Sequence, residues 1–165
     1  MKKGLLLLLI LMLAVSPVLA ESQITYGYTL DGTPVTENVF GGARVVMVNV
    51  WATFCGPCIN EMPELGKLAA EYAPEDLKII GLVGDVTNKS TLVKALAIVE
   101  STGADYLHLL PTQYSGPRFL ESLLYYPSTW FLDADGNLLS EEPVIGSNDY
   151  NGWKTIIDTY LKNAQ

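Results

Sequence analysis

Histidine and cysteine are scarce in this 165-residue chain, which contains one histidine and two cysteines. A structural zinc site needs four ligands, and Cys55, Cys58 and the distant His108 do not supply them, so we expect no metal site. The cysteines enclose only Gly56 and Pro57, and loop entropy stabilises a disulfide across so short a loop by roughly 2 kcal/mol before strain. Such a pair is a poor structural staple and a good reversible redox switch. An inert structural disulfide is the alternative.

Basic residues are also few: 10 lysines and arginines stand against 18 aspartates and glutamates, which gives a formal net charge of -8. A chain this acidic repels phosphate backbones and anionic lipid surfaces. We therefore expect no nucleic acid among its partners. By itself the charge indicates little more than solubility.

The N-terminus lacks a hydrophobic run long enough to span a membrane. The apolar run of residues 4–15 is shorter than the ~20 residues that a spanning helix needs. It follows two lysines, is interrupted at Pro17, and is succeeded by small or medium residues at 18–20. This pattern predicts a signal peptide at residues 1–20 and one exported domain at residues 21–165. The alternative is an uncleaved segment that tethers the protein to the membrane.

The rest of the chain alternates between strand-like and helix-like hydrophobic periodicity. We predict strands at residues 24–30, 33–36, 44–50, 77–83, 106–110, 129–132 and 137–144, and helices at residues 58–72, 90–101, 118–124 and 150–161. Turn signals at Asp31-Gly32 and at residues 133–136 predict two hairpins. The order predicts an α/β fold in which a central mixed sheet is flanked by helices on both faces and preceded by an N-terminal β-hairpin.

The two cysteines lie where a buried strand ends and a helix begins. There the unpaired N–H groups and the helix dipole favour a thiolate at Cys55, and such settings lower a thiol pKa from ~8.5 to between ~3.5 and ~7.5. Cys58 follows one turn later, within reach of a mixed disulfide formed at Cys55. Pro57 suits the first turn because its missing N–H has no helical partner. The spacing thus offers an attacking thiol and a resolving thiol.

Two blocks of sequence resemble a known family. VNVWATFCGPC at residues 48–58, followed by Glu61 and Pro63, resembles the active-site region of the thioredoxin fold, and within it the exported TlpA/ResA-like thiol–disulfide oxidoreductase family. PSTWFLD at residues 127–133 resembles the cis-proline strand of the same fold. The resemblance implies a thioredoxin-like fold, a redox-active Cys55–Cys58 disulfide, and a cis Pro127 whose backbone faces the Cys55 sulfur.

Other site residues follow from the same resemblance. Asn49 stands where thioredoxins usually have a buried aspartate, so that acid is missing here. Glu61 matches a carboxylate of the TlpA/ResA-like branch and could take the proton from Cys58, the alternative being a solvated helix carboxylate. Trp51 corresponds to the aromatic beneath the site, although a plain core tryptophan fits equally well. We expect His108 to be a structural rather than a catalytic histidine.

The resemblance implies dithiol/disulfide exchange with protein substrates and no cofactor. It points to the reducing direction, as does the Gly56-Pro57 pair, which reducing thioredoxins share. Implied partners are protein thiols or disulfides, such as those of apocytochrome c, and a membrane thiol electron donor. A thiol peroxidase on the same fold is a rival, but its threonine usually precedes the reactive cysteine by three positions, and Thr53 precedes Cys55 by two. The other rival is a binding module without turnover.

Overall fold

The computed structural model describes residues 27–111 and 125–164. Three predicted features lie outside these residues: the signal peptide (residues 1–20), the start of the first strand, and the helix at residues 118–124. Among the residues described, no helix is long and apolar enough to cross a membrane.

The described residues form one mixed sheet with helices packed against it. The strands are β1 (Gly27–Thr29), β2 (Pro34–Val35), β3 (Val45–Trp51), β4 (Leu77–Val83), β5 (Leu107–Pro111), β6 (Ser128–Leu132) and β7 (Val144–Ile145). The α-helices are α1 (Gly56–Glu71), α2 (Lys89–Thr102) and α3 (Tyr150–Asn163), and a 3-10 helix spans Glu37–Phe40. The strand order is β2-β1-β5-β4-β3-β6-β7, with β3, β4 and β5 parallel to one another. This confirms the predicted fold class.

Strand β3 lies at the centre of the sheet. It pairs in parallel with β4 on one side and antiparallel with β6 on the other. Every β3 residue is buried, as its continuous apolar sequence predicts for a strand covered on both faces. Because side chains alternate along a strand, Val46, Val48 and Val50 point to one face, and Met47 and Asn49 point to the other.

Different elements pack against the two faces of the sheet. On the first face, the β3 valines pack with Phe40 of the 3-10 helix. On the second face, Leu65 and Leu68 of α1 pack with Trp153 and Ile157 of α3. Helix α2 lies on this same face, because its Ala95 and Ile98 share a buried cluster with Met62 of α1. The three described α-helices therefore lie on one face, and the 3-10 helix packs on the other; the helix predicted at residues 118–124 lies outside the described residues.

The N-terminal hairpin extends the sheet. Its turn is formed by Asp31 and Gly32, and Gly32 adopts a positive φ of 91°. Strand β1 pairs antiparallel with β2 and also with β5, so the hairpin adds two strands beyond β5. The predicted hairpin is therefore part of the central sheet.

The second predicted hairpin is shorter than expected. In place of a strand at residues 137–144, the structure has one bridge between Leu132 and Leu138 and the two-residue strand β7. The carboxylate of Asp133 accepts the Asn137 N–H at 2.8 Å and so holds a tight turn. Pro143 lacks a backbone N–H and cannot donate a hydrogen bond to β6, and pairing resumes at Val144.

Candidate active site

The two cysteines lie at the carboxyl end of β3 and are joined by a disulfide with a Cα–Cα separation of 5.3 Å. Cys55 is 6% exposed and Cys58 is fully buried, so Cys55 is the more accessible sulfur. Gly56 and Pro57 are exposed between them. A Cβ on Gly56 would meet nothing within 4 Å, so the site does not require glycine there for space.

Cys55 caps helix α1. Its sulfur accepts the Cys58 N–H at 3.2 Å, and its carbonyl accepts the Ile59 N–H. The helix begins at Gly56, two residues before its predicted start, because Cys55 takes the N-cap position. A sulfur at this position lies at the positive end of the helix dipole, where a thiolate is favoured once the disulfide is reduced.

An acidic residue that the sequence did not single out fixes the chain before Cys55. The carboxylate of Asp85 accepts the backbone N–H of Thr53 at 2.9 Å and its hydroxyl at 2.6 Å. Asp85 follows the end of β4, the strand beside β3. An acid just after a neighbouring parallel strand is the signal that could have identified it, since adjacent strands end at the same edge of the sheet.

The turn before β6 lies at the same edge. The Tyr126–Pro127 peptide bond is cis, and Pro127 is buried. Since Val50 pairs with Ser128, continuing this register places Pro127 opposite Trp51, near the start of the turn to Cys55. The ring of Tyr126 contacts the ring of Phe54 edge-on at 5.9 Å between centroids. The two residues that precede Cys55 and Pro127 are therefore in contact.

Tyr126 also reaches the end of β4. A Cβ on Gly84 would lie 2.3 Å from the Tyr126 hydroxyl, so glycine is needed there to admit the ring. Burial and the nearby charge of Asp85 raise the pKa of this hydroxyl. Tyr126 stays neutral and fills the space between the Cys55 loop and the Pro127 turn.

Glu61 is buried in the site and is not a solvated helix carboxylate. It is 2% exposed, one turn beyond Cys58 on α1. Its Oε1 accepts the Asn49 side-chain N–H at 3.0 Å, and its Oε2 accepts the Trp153 indole N–H at 2.9 Å and the Asn148 backbone N–H at 3.1 Å. Burial raises the pKa of Glu61, while these three hydrogen bonds oppose the rise.

Asn49 belongs to a row of residues that crosses four strands. Registers place Thr129, Asn49, Gly81 and His108 side by side on β6, β3, β4 and β5. The Asn49 amide donates to Thr129 Oγ1 and to Glu61, both at 3.0 Å. The missing aspartate is thus replaced by an amide that holds a carboxylate supplied from α1.

Trp51 and His108 form a buried pair beneath the cysteines. The Trp51 indole donates to His108 Nδ1 at 3.2 Å, so the other nitrogen, Nε2, carries the proton that faces the Ala104 carbonyl at 3.0 Å. Burial lowers the pKa of His108 to about 4. A Cβ on Gly81 would lie 2.3 Å from His108 Nδ1, so glycine makes room for this ring. His108 is a hydrogen-bonded core histidine.

Within residues 27–111 and 125–164, no group of three histidine, cysteine, aspartate or glutamate side chains is arranged to hold a metal ion. The geometry brings together two sulfurs, with Cys55 at a helix N-terminus, and the buried carboxyl group of Glu61.

Comparisons with known proteins agree with this geometry. The Redoxin family model matches residues 20–150. Among curated relatives, the thiol-disulfide oxidoreductase ResA of Bacillus thuringiensis subsp. konkukian is 26% identical over 68% of this chain, and the thioredoxin-like protein YneN of Bacillus subtilis is 30% identical over 56% of it. This chain spans only 61% and 52% of their respective lengths.

Solved structures share the fold at low identity. A thiol:disulfide interchange protein from Chlorobium tepidum has a TM-score of 0.65 at 21% identity, covering 82% of this chain and 92% of its own. A secreted Mycobacterium tuberculosis disulfide oxidoreductase has a TM-score of 0.61 at 19% identity, covering 83% and 96%. The chain has a thioredoxin fold, is similar to the ResA and YneN proteins, and belongs to the Redoxin family.

Proposed function

We propose that this protein is an exported thiol–disulfide oxidoreductase that exchanges the Cys55–Cys58 dithiol and disulfide with protein substrates. The observation that carries this proposal is the disulfide at the N-terminus of α1, where Cys55 Sγ accepts a helix N–H. A thiolate held there is both more abundant at neutral pH and a better leaving group than an ordinary thiol.

In the reducing direction, the Cys55 thiolate attacks a disulfide of the partner. A bond forms between Cys55 and one partner sulfur, and the other partner sulfur leaves as a thiolate that takes a proton from water. Cys58 then loses its proton to the Glu61 carboxylate and attacks Cys55, which forms the Cys55–Cys58 disulfide and releases the second partner sulfur. Two electrons pass to the partner, and a membrane thiol donor would return the disulfide to the dithiol.

Glu61 suits the role of base because it is one turn from Cys58 and shielded from solvent. A carboxyl group with a raised pKa exchanges protons closer to neutral pH than an exposed one. Trp51 supports the site from below, and Gly56 and Pro57 leave the Cys55 side open to a partner. Pro127 would lie against the bound partner segment.

We propose the redox direction, the cellular location and the partners of this protein from its resemblance to other proteins. The Gly56-Pro57 pair between the cysteines is the pair found in reducing thioredoxins. The ResA relatives are named thiol-disulfide oxidoreductases. The Mycobacterium neighbour is described as secreted. We propose that residues 1–20 are a cleaved signal peptide, that the protein works outside the cytoplasm, and that its partners include cysteine-containing proteins such as apocytochrome c.

Insulin reduction with dithiothreitol as the electron source tests the activity. We expect the wild-type chain to accelerate precipitation of the insulin B chain and Cys55→Ser to have no effect above background. Val93→Ala, an exposed change on α2, serves as the matched control and should keep full activity. A wild-type protein no faster than Cys55→Ser would contradict the proposal and favour a binding module.

Two further measurements address direction and location. Equilibration of the Cys55/Cys58 couple with glutathione gives its reduction potential. A potential near ~−270 mV, that of thioredoxin, supports the reducing direction. A potential near ~−120 mV contradicts the reducing direction. N-terminal sequencing of the exported form should begin at Glu21. An exported form that begins at Met1 would support the membrane tether.

A further inference from the structure

The loop of residues 146–148, between β7 and α3, contacts both the Pro127 turn and Glu61. The Gly146 N–H donates to the Pro127 carbonyl at 3.0 Å, and the Asn148 N–H donates to Glu61 Oε2 at 3.1 Å. Only one residue separates these two donors along the chain. The loop therefore forms a short backbone connection between the turn and the buried carboxylate.

Both ends of this loop are fixed. At one end, β7 pairs with β6 through Ile145 and Ser128. At the other end, Asp149 caps α3 by accepting the Gly152 N–H at 2.8 Å, and Trp153 of the same helix donates to Glu61 Oε2. Within this frame Gly146 adopts a φ of +91°, a conformation that side-chain-bearing residues rarely adopt. The Pro127 turn and the Asn148 N–H are thus joined by a short segment with both ends held by hydrogen bonds.

We propose that residues 146–148 are a positioning segment, which couples the Pro127 turn to the Glu61 carboxylate and thereby sets how fast Cys58 releases a polypeptide bound at Cys55. This inference rests on the proposed function. According to this proposal, a partner chain that lies against Pro127 shifts the loop, and the shifted loop changes the hydrogen bond from the Asn148 N–H to Glu61.

The physical link is the balance of forces on Glu61. Burial raises the pKa of Glu61, and the Asn148 N–H is one of the donors that oppose the rise. Weakening that hydrogen bond leaves the carboxylate less stabilised, so Glu61 is ionised only at higher pH. It can then accept the Cys58 proton only at higher pH, so the rise of the release rate with pH moves to higher pH.

Few other titratable groups face Glu61 in the described residues. The Tyr106 hydroxyl, just before β5, is buried and kept neutral by burial and by the charge of Glu61. Cys58 lies on the same helix. The groups that approach Glu61 from β3 and α3, the Asn49 amide and the Trp153 indole, do not titrate. The pH dependence of release therefore reports chiefly on Glu61 and Cys58.

Three glycines allow a matched test of the loop. Gly32, Gly42 and Gly146 have φ values of +91°, +90° and +91°, and a Cβ on any of them meets nothing within 4 Å. Alanine at each position therefore introduces the same backbone strain without a clash, but only Gly146 lies in the loop. Asn adopts positive φ more readily than Ala, so Gly146→Asn serves as the conservative rescue.

The measured quantity is the rate at which Cys58 resolves the mixed disulfide formed when the reduced protein reacts with a fluorescent peptide disulfide, followed from pH 4 to 9. For Gly146→Ala we expect the midpoint of the profile to rise by about half a pH unit or more. Gly32→Ala and Gly42→Ala should keep the wild-type midpoint, and Gly146→Asn should lie closer to wild type than Gly146→Ala. In a Glu61→Gln background the Gly146→Ala shift should vanish. A wild-type midpoint for Gly146→Ala, or the same shift in a control, overturns the inference.

A second measurement does not depend on a glycine variant. Cys58→Ser protein is disulfide-bonded at Cys55 to 2-mercaptoethanol or to a short cysteine-containing peptide, and the Glu61 carboxyl is titrated by carbon-13 NMR. The peptide, unlike the two-carbon adduct, is long enough to extend along the Pro127 turn, so the coupling predicts different midpoints, and equal midpoints overturn it. Failure of the wild-type chain to resolve any mixed disulfide would instead defeat the proposed function, which separates the two outcomes.

Discussion

The two faces of the central sheet differ in chemistry although the same strands form both. On the face toward the 3-10 helix, the buried side chains are mostly apolar, as at Val48 and Ile80, and the buried Ser128 beside Val50 is uncharged. On the face toward α1 and α3, the edge below the cysteines carries Asn49, Glu61 and His108, all buried. Both faces contain large apolar clusters, and among the described residues the second face adds a buried carboxyl and a buried imidazole next to the redox pair.

The difference shows where this fold tolerates an energetic cost. A buried carboxyl and a buried imidazole both lose hydration, which burial of a valine does not. Each is compensated by hydrogen bonds: Glu61 accepts three, and His108 bonds Trp51 and Ala104. These groups lie at the edge where Cys55 and Cys58 are held, so we interpret the polar face as the part that serves the chemistry.

The largest expected change in the free energy of unfolding comes from a substitution on the face toward the 3-10 helix. Ile80→Ala should lower the free energy of unfolding by about 2–5 kcal/mol, because it leaves a cavity in a fully buried cluster. Urea denaturation measures this, with Leu96→Ala, exposed on α2, as the control that changes little. The pH dependence of thiol exchange by the folded Ile80→Ala protein should match wild type. A shifted profile would show that the two faces are not separate in function.

The second-largest expected effect is a loss of folding stability at acid pH, and it comes from His108 on the polar face. Its folded pKa of about 4 lies below the unfolded value of 6.5, so the unfolded chain binds the proton first as the pH falls. Stability from this group is present above pH 6.5 and is lost between pH 6.5 and 4, by about 3 kcal/mol. His108→Gln should flatten this part of the stability curve. As the chain has one histidine, its imidazole NMR signal gives the pKa directly, and titration near 6.5 would contradict the account.

The smallest effect on stability comes from Glu61 and has the opposite sign. Its folded pKa is raised above 4.5, so folding favours the protonated form, and that stability is lost as pH rises through the folded pKa. Glu61→Gln should therefore raise the free energy of unfolding at pH 7 and lose this advantage below pH 4.5. The amide N–H of the variant can donate to Asn49 Oδ1, which has no hydrogen-bond partner among the described residues, if the Asn49 amide turns over.

Urea denaturation at several pH values checks this sign. Glu64→Gln is the matched control, because Glu64 lies on the same helix and pairs with Lys67 at the surface. It should change stability by less than about 1 kcal/mol at any pH. If Glu61→Gln were less stable than wild type at pH 7 and equal to it at pH 4, the carboxylate would be a net stabilising group and our interpretation would be wrong.

Local features of the site could be predicted from the sequence. The position of the cysteines between a strand and a helix follows from a continuous apolar run and a helical repeat, both short-range patterns. The contacts of Glu61 could not be predicted in this way, because Trp153 lies 92 residues further along the chain and meets it only through the packing of α3 on α1. Asp85 could have been identified from its place just after β4, but its partner Thr53 lies 32 residues away on another segment.

The error at residues 137–144 has a local cause. Periodicity alone favoured a strand, while side-chain hydrogen bonds to Asp133 and the missing N–H of Pro143 removed the ladder. Turn chemistry outweighed the apolar pattern there. The predicted start of α1 was also wrong for a local reason: a cysteine sulfur, rather than the usual side-chain oxygen, caps the helix, so the helix begins at Gly56.

The most direct test of the central claim compares mixed disulfides trapped by two variants. Cys58→Ser and Cys55→Ser are each expressed with an export signal, purified under conditions that quench thiols, and analysed by mass spectrometry for covalently attached proteins. The account predicts many partners on Cys58→Ser and few on Cys55→Ser, because Cys55 is the more accessible sulfur and lies at the helix N-terminus. Equal trapping by both variants, or more by Cys55→Ser, would contradict it.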